Sequence, residues 1–240
     1  MKKINKLKSA IIIVVLFAFG LSFVGCEKEE DINVQKSAIH FDWNSLNWLS
    51  EASRNYYLDH YTEVGLVVES QQELNNYFNL IFNNYNFIYP LTSSISDNER
   101  KMYHTIVHIV SQYALSNSIL RDYLNALKRD RQFINLDYHE KMRVAVFVKT
   151  IIGISEALEI INLEESLENS KQPPRPSYNS ANGNSRFERQ LNNCLSYQLD
   201  GHFETLAGSI VYIINLPMSF IWDNAICANE IYNGLWEHVK

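Results

Sequence analysis

The chain has 240 residues, with 21 Lys and Arg against 27 Asp and Glu, a formal charge of −6 at neutral pH. An acidic chain without a basic stripe makes a poor nucleic-acid binder, because such binding rests on Lys and Arg neutralising phosphates. Eight Gly and five Pro are too few for turn-rich β architecture, and a 46% hydrophobic content favours long helices around a core.

Residues 1–25 read as a leader. Lys2, Lys3, Lys6 and Lys8 precede an apolar run over 10–19, and small or apolar residues continue to Gly25. Positive charge, apolar stretch and small residue, in that order, are the layout of a secretory signal. The leader ends in Phe23-Val24-Gly25-Cys26. This tetrapeptide resembles a lipobox, and the chain is in that respect similar to the bacterial lipoproteins. Phe23 and Val24 stand where Leu and Ala or Ser are commonest in that pattern. The resemblance implies cleavage before Cys26 and lipidation of its thiol, so that the chain meets a membrane through Cys26. Two or three acyl chains anchor stably where one is marginal. The competing reading is an uncleaved span, but residues 10–25 supply 16 apolar or small positions against the ~20 that a bilayer requires.

After Cys26 the chain reads Glu27-Lys28-Glu29-Glu30-Asp31. Lys28 followed by Glu29 and Glu30 resembles the export signal of surface lipoproteins in Bacteroidota. That resemblance implies the outer membrane and its cell-surface face, with the periplasmic face as the alternative. Residues 26–39 are expected to form an acidic tether, since a charged run with few apolar residues cannot pack. Without the four leader lysines the mature chain holds 17 basic groups against 27 acidic ones.

From 42 to 61, Trp43, Leu46, Leu49, Ala52 and Tyr56 recur at the spacing of one helix face. Leu74, Tyr77, Phe78, Ile81, Phe82 and Tyr85 mark a second helix over 69–85, ended by Pro90 and a Ser-rich stretch. Ser96 and Glu99 form a capping-box pattern. It opens a helix expected over 97–129, with its stripe at Met102, Ile106, Ile109, Tyr113, Leu120, Leu124 and Leu127. The segment 137–162 is apolar around most of its circumference, through Val144, Phe147, Val148, Ile151, Ile154 and Leu158. Such a helix is buried on several sides, so it is expected at the centre of a bundle, with Lys149 and Glu156 on a narrow wet edge. Composition changes sharply over 168–185, where Pro, Ser, Asn and Gly make a linker or exposed loop. A helix over 186–200, closed by Gly201, and another from Pro217 onward follow.

Cys194 and Cys227 remain after lipidation, and outside the cytoplasm an even count reads as a disulfide. Neither lies in a CxxC or CxxCH spacing, so metal and haem readings have no support. A disulfide needs Cα atoms within about 7 Å. In an antiparallel helix pair this requires a connection from Gly201 to Pro217, so 202–216 is expected to be a short helix buried across the bundle. The apolar run over 205–222 also has the length of a membrane segment, but Gly208, Asn215 and Pro217 interrupt it.

Few constellations carry chemistry. His104 and His108 stand one helical turn apart, a spacing that lets two imidazoles share a metal ion, with Ser111 and Asp122 alongside. The residues between them are Thr105, Ile106 and Val107, so the Glu of HExxH is absent. His139-Glu140 lacks its second His, Arg143 standing in that place, and with Asp137 reads as the polar first turn of a helix. Glu156, Glu159, Glu164 and Glu165 read as a solvated acidic face. Trp43, Trp48, Tyr56, Tyr57 and Tyr61, and near the end Trp222, Tyr232 and Trp236, read as core aromatics at helical spacing. The chain has no GxSxG and no Gly-rich phosphate loop, and no catalytic residue is assigned.

The expected protein is therefore all-α. It comprises an irregular helical bundle over 40–167 and a disulfide-linked C-terminal helical unit over 186–240 that packs on the bundle. The expected function is that of a lipid-anchored envelope protein binding an unidentified ligand or protein partner, with no cofactor and no nucleic acid. The alternatives are an immunity or inhibitor lipoprotein whose acidic surface neutralises a basic toxin, and a metal-dependent hydrolase at His104 and His108.

Overall fold

A computed structural model describes residues 41–62, 65–170, 186–233 and 235, and the fold is all-α. Cys26, Lys28, Glu29, Glu30 and Trp236 lie outside the described residues, as do 171–185 of the expected linker. Residues 168–170, expected in that linker, are the last turn of a helix.

Asp42 opens the described fold by accepting a hydrogen bond from Asn44 N, which caps a 3-10 turn over Trp43–Leu46. This turn runs into helix α1 (Asn47–His60), where Leu49, Ala52, Tyr56 and Tyr57 are buried on one face. A small antiparallel hairpin follows, strands β1 (Tyr61–Thr62) and β2 (Gly65–Leu66), with Tyr61 opposite Leu66. Gly65 has φ +95, and a Cβ there would lie 2.8 Å from the Ala228 Cβ, so both backbone and space require glycine. Helix α2 (Gln71–Asn84) begins at Ser70, whose Oγ accepts from Glu73 N, and buries Leu74, Phe78 and Phe82.

The helix expected over 97–129 is instead broken in two. Helix α3 (Asp97–Gln112) ends where Tyr113 turns extended, with φ −126 and ψ 142. Helix α4 (Ser118–Ala126) restarts at the Asn117 cap and continues into a 3-10 turn over Leu127–Arg129. A single turn of helix, α5 (Arg131–Ile134), follows from Asp130. The break is satisfied from elsewhere in the chain. Asn192 Oδ1 accepts from Leu115 N and Asn192 Nδ2 donates to the Tyr113 carbonyl, so the backbone groups freed by the break remain bonded.

Helix α6 (Tyr138–Ser170) spans 33 residues and is the central element, longer than expected at its C-terminal end. Its start is a reciprocal capping box: Glu140 N donates to Asp137 Oδ1 and Asp137 N to Glu140 Oε2. Val144–Val148, Ile151, Ile152, Ile154, Ala157 and Leu158 are all buried. Helix α1 lies across α6, and a Cβ on Gly153 would come within 2.2 Å of the Ser50 carbonyl oxygen, so the two backbones touch there.

The C-terminal elements are α7 (Arg186–Phe203), α8 (Leu206–Ile214) and α9 (Met218–Tyr232). Gly201 does not close α7, which continues through it to Phe203. Phe203 is 1% exposed and stacks on Tyr103 at 5.1 Å. Burying a Phe is worth roughly 1.5–3 kcal/mol, against about 1 kcal/mol for a helical glycine, so the extra turn is favoured. The crossing helix α8 exists as expected but is not buried throughout: Tyr212 and Ile213 face the core while Leu206 and Val211 are exposed. Cys194 on α7 and Cys227 on α9 form the disulfide, with Cα atoms 5.7 Å apart. Helix α7 packs on α3, and α9 packs on α7, β2 and α2. The apolar core therefore runs without a break from Leu49 through Ile106 and Phe147 to Leu195 and Phe220.

Candidate functional site

Among the described residues, no three His, Cys, Asp or Glu side chains gather so as to hold a metal ion. His104, His108 and Ser111 are exposed on α3, Asp122 is exposed on the separate helix α4, and neither histidine gains a third ligand among the described residues. Glu156 and Glu159 are not a free acidic face. Arg54 Nη1 lies 3.5 Å from Glu156 Oε2, and Arg121 Nη2 lies 2.5 Å from Glu159 Oε2. Trp43, Tyr56 and Tyr57 are core residues as expected, whereas Tyr232 is exposed. No single helix among the described residues is long and apolar enough to cross a membrane; α8 and α9 together reach that composition but bend by 100°.

The burial of three charged residues, Glu99, Arg143 and Lys149, has no clear signal in the sequence. The pattern at Ser96 makes Glu99 the reciprocal half of a capping box, yet only Ser96 caps: its Oγ accepts from Glu99 N. The Glu99 carboxylate turns inward and is fully buried. Arg143 grips it from α6 with two bonds, Nε to Oε1 at 2.8 Å and Nη2 to Oε2 at 2.7 Å, and the Tyr103 hydroxyl donates to Oε1 at 3.2 Å. Burial pushes the Glu99 carboxyl up, and Arg143 and Tyr103 pull it back. Every strong partner is used internally, so this cluster reads as structural.

Lys149 is different. Placed on a wet edge by its periodicity, it is in fact only 4% exposed. Its Nζ donates to Asn47 Oδ1 at 2.7 Å and lies 5.4 Å from the centroid of the Trp43 ring. No carboxylate among the described residues lies within 4.0 Å of it. Burial pushes its amine down from 10.5 to about 8; Lys128 adds to this, and Glu156 and Asp42 oppose it.

This ammonium forms part of the wall of a cavity of about 450 Å³ at the α1–α6 crossing. Asn47, Ser50, Glu51 and Arg54 line it from α1, Lys149, Ile152 and Glu156 from α6, and Asn125 from α4. The α1 residues recur at three and four, as do those of α6, so one stripe from each helix faces the space. Arg54 is held between Glu51 at 4.0 Å and Glu156 at 3.5 Å. The site thus offers one buried cation, a rim in which Arg54 stands between two carboxylates, neutral polar groups and one apolar contact.

Two other hollows are less apt. A groove of about 330 Å³ along β2 and α9 is lined by apolar side chains, Leu66, Val67, Trp222, Ala225 and Ile226 among them, with Asn229 as its polar side chain and no charged group. A second hollow, beneath residues 90–96, reaches Arg143, whose guanidinium is already committed to Glu99. Comparison of the chain with protein-family models, curated proteins and solved structures finds no match.

Proposed function

We propose that the chain is a lipid-anchored envelope protein, exposed at the cell surface, that binds a small ligand in the cavity beside Lys149. The observation that carries the binding reading is a cation buried in the wall of a polar cavity without a carboxylate against it, because buried charges are ordinarily paired. Support for the anchor is the resemblance of Phe23-Val24-Gly25-Cys26 to a lipobox; support for the surface is Lys28-Glu29-Glu30.

Metabolic labelling with palmitate, followed by protease treatment of intact cells, tests both halves of the anchoring. Label retained by the native chain and lost in Cys26→Ala is the expected result. Cleavage while periplasmic markers survive supports surface exposure; protection assigns the periplasmic face instead. The excess of 27 acidic over 17 basic groups in the mature chain favours a second reading, an immunity protein that covers a basic toxin. Unchanged toxin sensitivity after gene deletion would remove it.

A further inference from the structure

The chemistry of the cavity narrows the class of ligand, and this step rests on the ligand-binding reading above. We propose that the cavity at the α1–α6 crossing takes a small organic monocarboxylate, its carboxylate closing on Lys149 Nζ and its body lying against Asn125, Ser50 and Ile152.

Three features select that class. First, Lys149 donates one proton to Asn47 and presents its charge toward Trp43, which leaves hydrogen-bonding capacity on an ammonium with three N–H groups. A carboxylate is a strong acceptor for a charged donor. Second, charge is balanced closely around the site. Lys149, Lys128 and Arg54 are offset by Glu51, Glu156 and Asp42, each facing Lys149 or its cavity. With the charges balanced, every negative charge that a ligand brings is opposed by Glu51 and Glu156, so a monoanion held on Lys149 is opposed less than a dianionic phosphate. Third, the remaining lining is amide, hydroxyl and one isoleucine, which suits an uncharged organic body. Inorganic anions lack such a body and gain nothing from Ile152.

Binding is then linked to protonation. An anion seated on Nζ favours the ammonium over the amine, so the ligand raises the titration midpoint of Lys149 and takes up a proton where that midpoint lies below the working pH.

The test is a lysine-amine NMR titration of the purified full chain in detergent, with the Lys149 resonance identified by its loss in Lys149→Met. Benzoate and propionate are the probes, and chloride and inorganic phosphate are compared at matched ionic strength. The expected result is a saturable upward shift of the Lys149 midpoint with the carboxylates, at least tenfold tighter than with chloride or phosphate. Equal, unsaturated shifts with every anion are screening and overturn the proposal. Phosphate binding more tightly than the carboxylates also overturns it. Because Lys149→Met removes a buried partner of Asn47 as well as a charge, the outcome is decided on the wild-type shift. A parallel thermal-shift series with neutral oligosaccharides separates the two readings. Stabilisation there without any carboxylate response sinks the monocarboxylate assignment and leaves ligand binding standing, whereas silence in both series sinks both.

Discussion

Lys149 and Arg143 are two buried cations on the same central helix, and what faces each of them differs. Arg143 meets the Glu99 carboxylate directly, so removing either partner leaves the other charged and buried. Arg143→Met is expected to cost about 3–5 kcal/mol in urea denaturation, while Arg143→Met combined with Glu99→Leu recovers most of that loss. A double variant as unstable as the single one would show that packing, rather than charge, holds the site. Lys149 makes the opposite case. Its amine is lowered from 10.5 to about 8 on folding, so between those values the folded chain holds fewer protons than the unfolded one. Stability therefore rises with pH across that window, by up to roughly 3 kcal/mol. Tyr103 and Tyr212, raised by burial above the ordinary 10.0, act with the reverse sign. Their phenols stay protonated in the folded chain when the unfolded chain has lost those protons, so stability falls above about pH 10. A stability maximum near pH ~9–10 is expected, and Lys149→Met should abolish the rise while leaving the fall. A native profile that already declines from about pH 8 would contradict a buried, depressed Lys149.

At the scale of elements, the α1–α6 crossing is set by how closely the backbones approach. Gly153→Ala places a methyl 2.2 Å from the Ser50 carbonyl oxygen, and a helical carbonyl cannot swing aside as a side chain would. The helices must separate, at an expected cost of about 1–3 kcal/mol, the usual range for overpacking. Thermal unfolding of Gly153→Ala checks this, and an unchanged midpoint would mean that the two backbones can part there without loss. Periodicity exposes α1, α2 and α6 well, because their stripes report which face is buried and nothing else is needed. It fails at Tyr113 for a physical reason: the group that stabilises the break is Asn192, 77 to 79 residues further along the chain. Local sequence cannot show such a partner. Lys149 escapes for a related reason. A lysine at a helix edge ordinarily snorkels to water, whereas here Asn47 at the start of α1 and Trp43 in the preceding 3-10 turn receive it. Glu99 carries a genuine local signal, the capping pattern with Ser96, and that signal conceals its long-range partner. Half the cavity is thus visible as a helix stripe, and its charge is not.

For the molecule as a whole, α7–α9 are either a separable unit or a part of one core. The even cysteine count points to the disulfide, and the requirement that its Cα atoms lie within about 7 Å across two antiparallel helices points to the crossing helix; the structure has both, with a separation of 5.7 Å. The packing goes further. Phe203 on α7 stacks on Tyr103 of α3, Tyr57 of α1 donates to Asn224 on α9, and Asn192 on α7 closes the break after α3. The disulfide joins α7 to α9, the two helices through which these grips are made. Cutting it frees a loop of 33 residues in the unfolded chain and should lower stability by roughly 3–4 kcal/mol. Because the core is continuous, the loss should appear as one shifted transition and not as early release of the C-terminal helices. Urea denaturation of the Cys194→Ser, Cys227→Ser variant, followed both by far-ultraviolet circular dichroism and by tryptophan fluorescence, distinguishes the two. Coincident curves at a lower midpoint fit a single cooperative body. Separated curves, with one signal lost early, would show that α7–α9 can leave while the α1–α6 crossing and its cavity persist.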